Sequence, residues 1–291
     1  MTTVLDANVH NIAVEGTFDD AQKILKEISS DLEFKREYRL GAVNSVNWAR
    51  VLAQMVYYFS AAFRVTSETG AERVRFCVPT GNFGDILAGY YAKRMGAPID
   101  SLILATNEND ILSRFFNTGV YSLGTVTQTL APAMDIQVAS NFERYLFHRL
   151  GNDGARVREL MAGFKQTGSL ELPVPAGQAR FDSEISAAAA TRSDVIAAIK
   201  WACEEHDYVI DPHTAVGVHV ARNAPPAEVP TVCLSTAHPA KFPDAVREAT
   251  GREDAGRHPS IDALDGLEAR CEVLPAEADA VREFMKATLA K

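Results

Sequence analysis

A glycine-containing segment between a predicted strand and a predicted helix is the strongest candidate for chemistry in this 291-residue chain. It reads Pro79-Thr80-Gly81-Asn82-Phe83-Gly84-Asp85. Glycines let the backbone approach a ligand closely, and the first turn of a helix offers unpaired N–H groups and the positive end of its dipole. The segment is therefore suited to holding a phosphate, although it matches neither the Walker pattern nor G-x-G-x-x-G. From its spacing alone, an ordinary tight turn explains it equally well.

A polar stripe on a preceding predicted helix, at about residues 44–63, offers a second site for an anion. Asn44, Asn47, Arg50 and Gln54 recur at intervals of three and four, which brings them together on one face of a helix. A merely solvated face would favour Lys and Glu over amides around an arginine. The planar guanidinium of Arg50 suits a carboxylate or a phosphate, so we expect Asn44, Asn47 and Arg50 to hold an anionic group.

Three further polar segments lie next to predicted strands or helix starts. They are Thr106–Asp110, Asp211–Thr214 and Leu234–Pro239, the last of which includes Ser235 and Thr236. Ligands of α/β proteins usually bind at the carboxyl ends of the strands, which favours the first and the last segment. Helix capping and turn formation explain all three equally well or better. No Ser/His/Asp order or metal-ligand spacing stands out.

The surrounding pattern predicts the elements that would position these residues. Apolar runs at residues 73–78 and 101–105 flank a helical pattern at residues 85–95, and the short connections imply parallel strands with a right-handed crossover. Another strand is expected at residues 229–234, and residues 169–190 are interpreted as a connector because they are rich in Pro, Gly, Ser and Ala. Thr17 and Asp20 form a capping-box pattern at the start of an early helix. Alternating strands and helices indicate an α/β fold.

Composition and charge exclude several classes of function. The formal net charge is −9, and the chain has no run of four basic residues, so neither nucleic acid nor an anionic membrane is an expected partner. The longest apolar stretch is too short to span a bilayer, and no secretory signal is recognisable. The four cysteines form no C-x-x-C pair. We therefore expect a cytoplasmic protein with reduced core thiols and no metal site.

Seven stretches together carry a resemblance to a known family. They are residues 41–50, 79–89, 105–112, 131–136, 140–144, 210–217 and 234–242, which include Asn-Ser-Val-Asn-Trp-Ala-Arg and Ala-His-Pro-Ala-Lys-Phe. In this order they resemble threonine synthase, in particular its longer subtype. The resemblance implies a fold-type II pyridoxal-phosphate enzyme, similar to tryptophan synthase β, with a parallel or mixed sheet flanked by helices. It also implies conversion of O-phospho-L-homoserine and water into L-threonine and phosphate.

The resemblance assigns roles to some of the residues above. Gly81, Asn82, Phe83 and Gly84 would grip the phosphate of pyridoxal 5′-phosphate, and Thr236 would lie beside the pyridine nitrogen. The spacing of Asn44, Asn47 and Arg50, and not the resemblance, leads us to expect that these residues hold the phosphate or carboxylate of the substrate. The implied organisation is the end of a smaller domain at residues 1–40 and a large cofactor domain at residues 41–250. Within the large domain, residues 141–190 form an excursion of helices and connector. After the large domain, residues 251–291 form a C-terminal helical extension.

The family's cofactor-binding lysine has no counterpart in this sequence. That lysine lies in a Phe-Lys-Asp type motif, whereas Phe34-Lys35-Arg36 and Phe164-Lys165-Gln166 stand in other contexts, and Lys241 belongs to a different family stretch. We therefore expect an N-terminally truncated fold with no catalytic residue, weak or no cofactor capture and no turnover by this chain alone. The alternative is a non-catalytic remnant that acts as a binding or interaction protein. A serine or threonine dehydratase is a weaker third possibility, and the oligomeric state is left open.

Overall fold

The structure is a computed structural model that describes residues 1–16 and 18–289, so Thr17 and its predicted capping box lie outside the described residues. The described chain divides into two compact units, Met1–Ala42 with Pro259–Lys291, and Val43–His258. In chain order the elements are β1 (Ile12–Glu15), α1 (Phe18–Ser30), α2 (Leu32–Glu37), α3 (Trp48–Thr69), β2 (Val74–Pro79), α4 (Gly84–Arg94), β3 (Ile99–Thr106), α5 (Ile111–Thr118), β4 (Val120–Ser122), α6 (Phe142–Arg149), α7 (Gly154–Thr167), β5 (Ser169–Glu171), β6 (Ile185–Ala189), α8 (Arg192–His206), α9 (Pro212–Asn223), β7 (Thr231–Cys233), α10 (Pro243–Thr250), α11 (Pro259–Asp262), β8 (Glu272–Pro275) and α12 (Ala278–Leu289).

The larger unit is built on a four-stranded parallel sheet with the strand order β6-β3-β2-β7. Successive side chains of a strand point to opposite faces, and both faces of this sheet are covered. Phe76 and Val78 belong to the apolar core on one face, whereas Cys77 belongs to the core on the other. The first core includes residues of α3, α4, α5 and α6, and the second includes residues of α8 and α9. The predicted α/β fold with a parallel sheet between helices is confirmed.

The predicted strand–helix–strand unit is present as β2, α4 and β3. Strands β2 and β3 pair in parallel, with Cys77 opposite Ile103, and α4 connects them. Strand β7 pairs in parallel with the other edge of β2 and places Cys233 opposite Cys77. The glycine-containing segment therefore leaves the sheet between two neighbouring parallel strands.

Two predictions about the larger unit are wrong. The helix expected to begin at Asn44 begins at Trp48, because Asn47 has extended backbone angles and caps the helix with its side chain. The expected connector at residues 169–190 contains two strands. Of these, β5 pairs antiparallel with β4, and β6 pairs in parallel with β3 at the edge of the central sheet.

The smaller unit has its own short sheet and its own apolar cluster. Strands β1 and β8 pair in parallel, with Ile12 opposite Glu272. The cluster is formed by Ile24, Ile28, Phe34 and Ala278. None of the helices in the described part of the chain combines the length and apolar character that a bilayer crossing requires.

Candidate functional site

The loop between β2 and α4, residues 80–84, is tied to the sheet and ends in an unusual backbone conformation. The amide of Thr80 donates to the carbonyl oxygen of Ala105, at the end of β3, at 2.8 Å. Phe83, the residue before α4, has φ 63° and therefore lies in the left-handed region, which non-glycine residues seldom occupy. Strain of this kind persists only where the surroundings hold it in place, and it is frequent at functional sites.

The Phe83 side chain is what holds that conformation. It is almost fully buried, and its ring lies parallel to that of Phe116 with the centroids 5.9 Å apart. The rings of Phe142 and Tyr145 lie at 5.9 and 5.6 Å. Aromatic pairs at such separations stabilise a core beyond the area that they bury. Phe83 therefore anchors the start of α4 without using its side chain as a cap.

A pocket of about 140 Å³ opens at the start of α4. The first-turn N–H groups of a helix have no partner within the helix, and Phe83 provides no side-chain hydrogen bond for them. The only positively charged side chain among the lining residues is Arg50, whose guanidinium also donates to the carbonyl oxygen of Val43 at 3.1 Å. The lining residues are Ser45, Arg50, Gln54, Pro79, Thr80, Gly81, Asn82, Phe83, Gly84, Asp85 and Ile86. Backbone donors beside one guanidinium favour an anionic ligand.

Asp85 is the acidic residue in the lining of this pocket. The hydroxyl of Tyr58 donates to the main-chain oxygen of Asp85 at 2.8 Å and lies 3.2 Å from its carboxyl Oδ1. Burial raises the pKa of Asp85 to about 6, and the hydrogen bond from Tyr58 acts in the opposite direction. The carboxyl group therefore changes its charge close to neutral pH.

The two glycines of the loop have different steric surroundings. A Cβ on Gly81 would lie 2.7 Å from the carbonyl oxygen of Ala133, whereas a Cβ on Gly84 would meet nothing closer than 3.5 Å. Gly81 is therefore needed for close approach to another part of the backbone, and not only for approach to a ligand. Gly84 lies in the wall of the pocket.

Asn141 fastens the loop from the other side, a role that the sequence did not reveal. This residue is fully buried, and both its main-chain and side-chain nitrogens donate to the carbonyl oxygen of Asn82 at 3.1 Å. Its side chain also donates to the carbonyl oxygen of Ser45 at 2.8 Å, and Arg144 donates to its Oδ1 at 2.5 Å. The stretch at residues 140–144 contributes to the family resemblance, which was the only available signal.

A chain of hydrogen bonds connects Thr236 to the loop that covers Gly81. The amide of Thr236 donates to Oγ1 of Thr214 at 3.2 Å, and that hydroxyl donates to the carboxylate of Asp211. Asp211 accepts from Nδ1 of His213 at 2.9 Å, and Nε2 of His213 accepts from the amide of Ala133 at 3.2 Å. Because Nε2 accepts, Nδ1 carries the proton.

Asp211 is fully buried at the start of α9, where it caps the helix as predicted. Burial by itself would raise the pKa of this carboxyl, but hydrogen bonds from His213 and Thr214 outweigh it, so that the pKa is lowered. Asp211 is therefore a structural carboxylate that stays ionised.

Thr236 follows the strand that pairs with the strand before the glycine loop. Cys77 and Cys233 lie opposite each other on adjacent parallel strands. The pairing continues one residue further, since the amide of Leu234 donates to the carbonyl oxygen of Cys77 at 3.0 Å. Thr80 and Thr236 both follow the carboxyl ends of these two strands. Neighbouring strands are about 4.8 Å apart, so Thr236 follows the strand next to the one that precedes the glycine loop, and its contact with a cofactor ring stays a prediction.

The predicted anion-binding stripe is only partly brought together. Arg50 and Gln54 line the pocket, but Asn44 and Asn47 do not. Oδ1 of Asn44 accepts from the amide of Val46 at 3.1 Å, and Oδ1 of Asn47 accepts from the amide of Ala49 at 2.8 Å. Both asparagines thus shape the entry to α3, and their contact with a substrate stays a prediction.

The polar segment at Thr106–Asp110 organises a neighbouring loop. The side chains of Asn107 and Asn109 donate to Oδ1 of Asp135 at 2.6 and 3.0 Å. Both asparagines are buried, and Asp135 lies two residues after Ala133 in the loop that covers Gly81. The expected N-cap role is not seen, since Asp110 makes no side-chain cap.

Comparison with known proteins supports the resemblance inferred from the sequence. Residues 214–285 match the family model for the C-terminal part of threonine synthase. The chain is 44% identical over 289 residues to threonine synthase of Methylobacillus glycogenes and 45% identical over 293 residues to that of Pseudomonas aeruginosa. Each alignment covers 98% of this chain and 60% of the relative. The predicted resemblance to threonine synthase is thereby confirmed.

Solved structures show the same relationship. Pyridoxal-phosphate-bound threonine synthase from Brucella melitensis is 45% identical, with a TM-score of 0.87, over 99% of this chain and 61% of that one. The yeast threonine synthase is 38% identical, with a TM-score of 0.85, over 100% of this chain and 61% of that one. The chain has the fold of these structures and spans about 60% of the length of the relatives that it matches.

Proposed function

We propose that this chain provides the cofactor-phosphate side of a pyridoxal-phosphate-dependent threonine synthase, which converts O-phospho-L-homoserine and water into L-threonine and phosphate. The pocket at the start of α4 is the observation on which the proposal depends. Similarity to threonine synthases over nearly the whole chain supports it. As a biosynthetic enzyme of small metabolites, the protein would act in the cytoplasm.

The residues of the pocket fit a phosphoryl group. Gly81, Asn82, Phe83 and Gly84 line it, and α4 begins there with the positive end of its dipole. Arg50 adds a full positive charge in the same wall. The phosphate of the cofactor and the phosphate or carboxylate of the substrate both carry the negative charge that such a wall would bind.

Thr236 is the proposed partner of the cofactor ring. Bound pyridoxal phosphate would supply the electron-withdrawing ring that stabilises negative charge on substrate carbon. A neutral hydroxyl at the pyridine nitrogen would moderate that withdrawal in comparison with a carboxylate. Because the main-chain amide of Thr236 donates to Thr214, the backbone that carries the Thr236 hydroxyl is fixed just after the carboxyl end of β7.

Residues of this chain would orient the substrate, but they do not supply a lysine to the pocket. None of the described residues that line it is a lysine. We therefore propose that Arg50 holds an anionic group of the substrate, with Asn44 and Asn47 shaping the segment beside it. The proposed catalytic residue lies outside this set, so turnover is not expected from these residues alone.

Pyridoxine 5′-phosphate tests the proposal directly, because it has the cofactor's ring and phosphate but no aldehyde to react with surface lysines. Its binding to the purified chain would be measured by calorimetry and compared with that of pyridoxine. We expect binding that depends on the phosphate and that weakens at least about tenfold in Arg50→Gln. Arg64→Gln is the matched control, since Arg64 lies on the same helix with its side chain exposed.

Equal affinity for the two compounds would refute the phosphate assignment, whereas an unaffected Arg50→Gln variant would refute only the contribution of the Arg50 charge to this pocket. A single borohydride-trapped lysine adduct with pyridoxal phosphate would instead show that this chain contains the reactive lysine. Phosphate-dependent binding without such an adduct is the expected outcome. That outcome also fits the alternative of a non-catalytic binding protein. An assay of L-threonine formation, with the N-terminal part of a related threonine synthase added, would distinguish the two functions.

A further inference from the structure

We propose that the pocket takes up its phosphoryl group together with a proton, which Asp85 holds, so that Asp85 is an uncharged carboxyl group whenever the pocket is filled. The inference deepens the proposed function and rests on it for the identity of the anion. Asp85 would then act by setting the net charge of the pocket, and not by reacting with the ligand.

The position of Asp85 creates the conflict that the proton resolves. The residue lies in the first turn of α4 and lines the pocket with Gly84 and Arg50. While the pocket is empty, the positive end of the α4 dipole reduces the cost that burial places on an ionised Asp85, but it does not cancel that cost. Once a doubly charged phosphoryl group occupies the same positive region, an ionised Asp85 would face a like charge in a partly buried setting, where screening is weak.

Tyr58 provides a place for the proton. Its hydroxyl has one hydrogen, which can be donated either to Oδ1 of an ionised Asp85 or to the main-chain oxygen of Asp85. When Asp85 is neutral, the hydrogen is donated to the main-chain oxygen, which is the nearer of the two at 2.8 Å. The oxygen of Tyr58 then has free lone pairs 3.2 Å from Oδ1 of Asp85. A proton on Oδ1 can therefore be donated to Tyr58, so both groups are satisfied when Asp85 is neutral.

The charges that face Asp85 leave room for this uptake. Among the residues that line the pocket, Arg50 is the other charged side chain, and Ser45, Gln54 and Asn82 are neutral. On the core side, Asp85 meets Tyr58, which is fully buried near the neutral thiol of Cys77. Burial already brings the pKa of Asp85 to about 6, so protonation near neutral pH requires only a small additional bias.

Sulfate is the probe for the test, because it stays doubly charged throughout the relevant pH range. Sulfate affinity of the purified chain would be measured by calorimetry from pH 5 to pH 8 in buffers of different ionisation enthalpy. We expect binding to weaken about tenfold per pH unit above about pH 6, with uptake of close to one proton, and to be nearly constant below that pH. For Asp85→Asn, the sulfate affinity should change less than twofold between pH 5 and pH 8, and binding should take up no proton.

Controls separate this inference from the proposed function. Glu159→Gln, at an exposed carboxylate on α7, should keep the wild-type pH profile. Arg50→Gln should lower affinity at every pH and keep the slope. Absence of sulfate and phosphate binding by the wild type would count against the proposed function as well. Tight sulfate binding that is independent of pH, or Asp85→Asn with a wild-type slope, would overturn the role of Asp85 alone.

Discussion

Replacing each loop glycine by alanine gives a matched pair of variants that tests how the loop is built. At Gly81 the new Cβ would lie 2.7 Å from the carbonyl oxygen of Ala133, closer than real Cβ contacts come. The backbone near Ala133 must therefore shift by some tenths of an ångström. That backbone is held by the Ala133 amide, which donates to His213. At Gly84 the nearest atom is 3.5 Å away, which is ordinary contact distance.

The expected difference between the two variants is large enough to measure. Overpacking of this kind costs about 1–3 kcal/mol, and the loss of unfolded-state freedom on changing Gly to Ala offsets roughly 0.4–1 kcal/mol. Gly81→Ala should therefore be destabilised by about 1–2 kcal/mol. Gly84→Ala, at the first position of a helix, should be neutral or more stable by up to ~1 kcal/mol.

Urea unfolding followed by circular dichroism measures both free energies of unfolding, and the Gly84→Ala variant serves as the control for a generic glycine effect. Both variants should bind pyridoxine 5′-phosphate less well, Gly84→Ala because its Cβ enters the pocket wall. Equal stability of the two variants would show that Gly81 is not packed tightly against Ala133.

Two carboxyl groups and a third glycine can be tested in the same way. The pKa of Asp85 is raised from 3.8 to about 6, which makes the ionised form in the folded protein unfavourable by up to ~3 kcal/mol. Asp85→Asn should therefore stabilise the protein at pH 7 and lose that advantage as the pH falls from about 6 towards 4. Urea titrations at several pH values measure this difference in the free energy of unfolding. The pKa of Asp211 is lowered, so its contribution to the free energy of unfolding is present above pH ~4 and is lost in more acid solution. Asp211→Asn should lower the free energy of unfolding by about 1–3 kcal/mol at pH 7. A difference between variant and wild type that stays constant down to pH 2 would contradict this. Gly217→Ala would put a Cβ 2.9 Å from both Sγ of Cys233 and Cγ of Pro79, so thermal unfolding should show about 1–3 kcal/mol of destabilisation, and an unchanged Tm would exclude tight packing there.

The parts of the fold that the sequence predicts are those with strong local signals. Strands β2 and β3 are apolar runs that end in Pro, Gly or Asn, and helix α4 follows the glycine loop at once, so this unit could be predicted without tertiary information. The cap at Asp211 could also be predicted, because Asp-Pro favours the start of a helix.

The parts that the sequence does not predict depend on distant contacts. Strand β6 contains Ile-Ser-Ala-Ala-Ala, which has little strand propensity, and it is a strand because β3 offers a free edge. The start of α3 was misplaced because an asparagine can either cap a helix or lie within it, and Asn47 caps. Asn141 binds Asn82 and Ser45, which are 59 and 96 residues away in sequence.

The route from Thr236 to Ala133 has a consequence for how the pocket keeps its shape. Thr214, Asp211 and His213, which form its centre, are all buried and hydrogen-bonded to one another. A fully satisfied buried network favours a single arrangement, because any displacement leaves a polar group unpaired at low dielectric. Ala133 presses on Gly81 at one end of the network, and Thr236 is attached at the other. The phosphate loop and the proposed ring contact are therefore positioned by the same set of bonds, and a change at one end should alter the other.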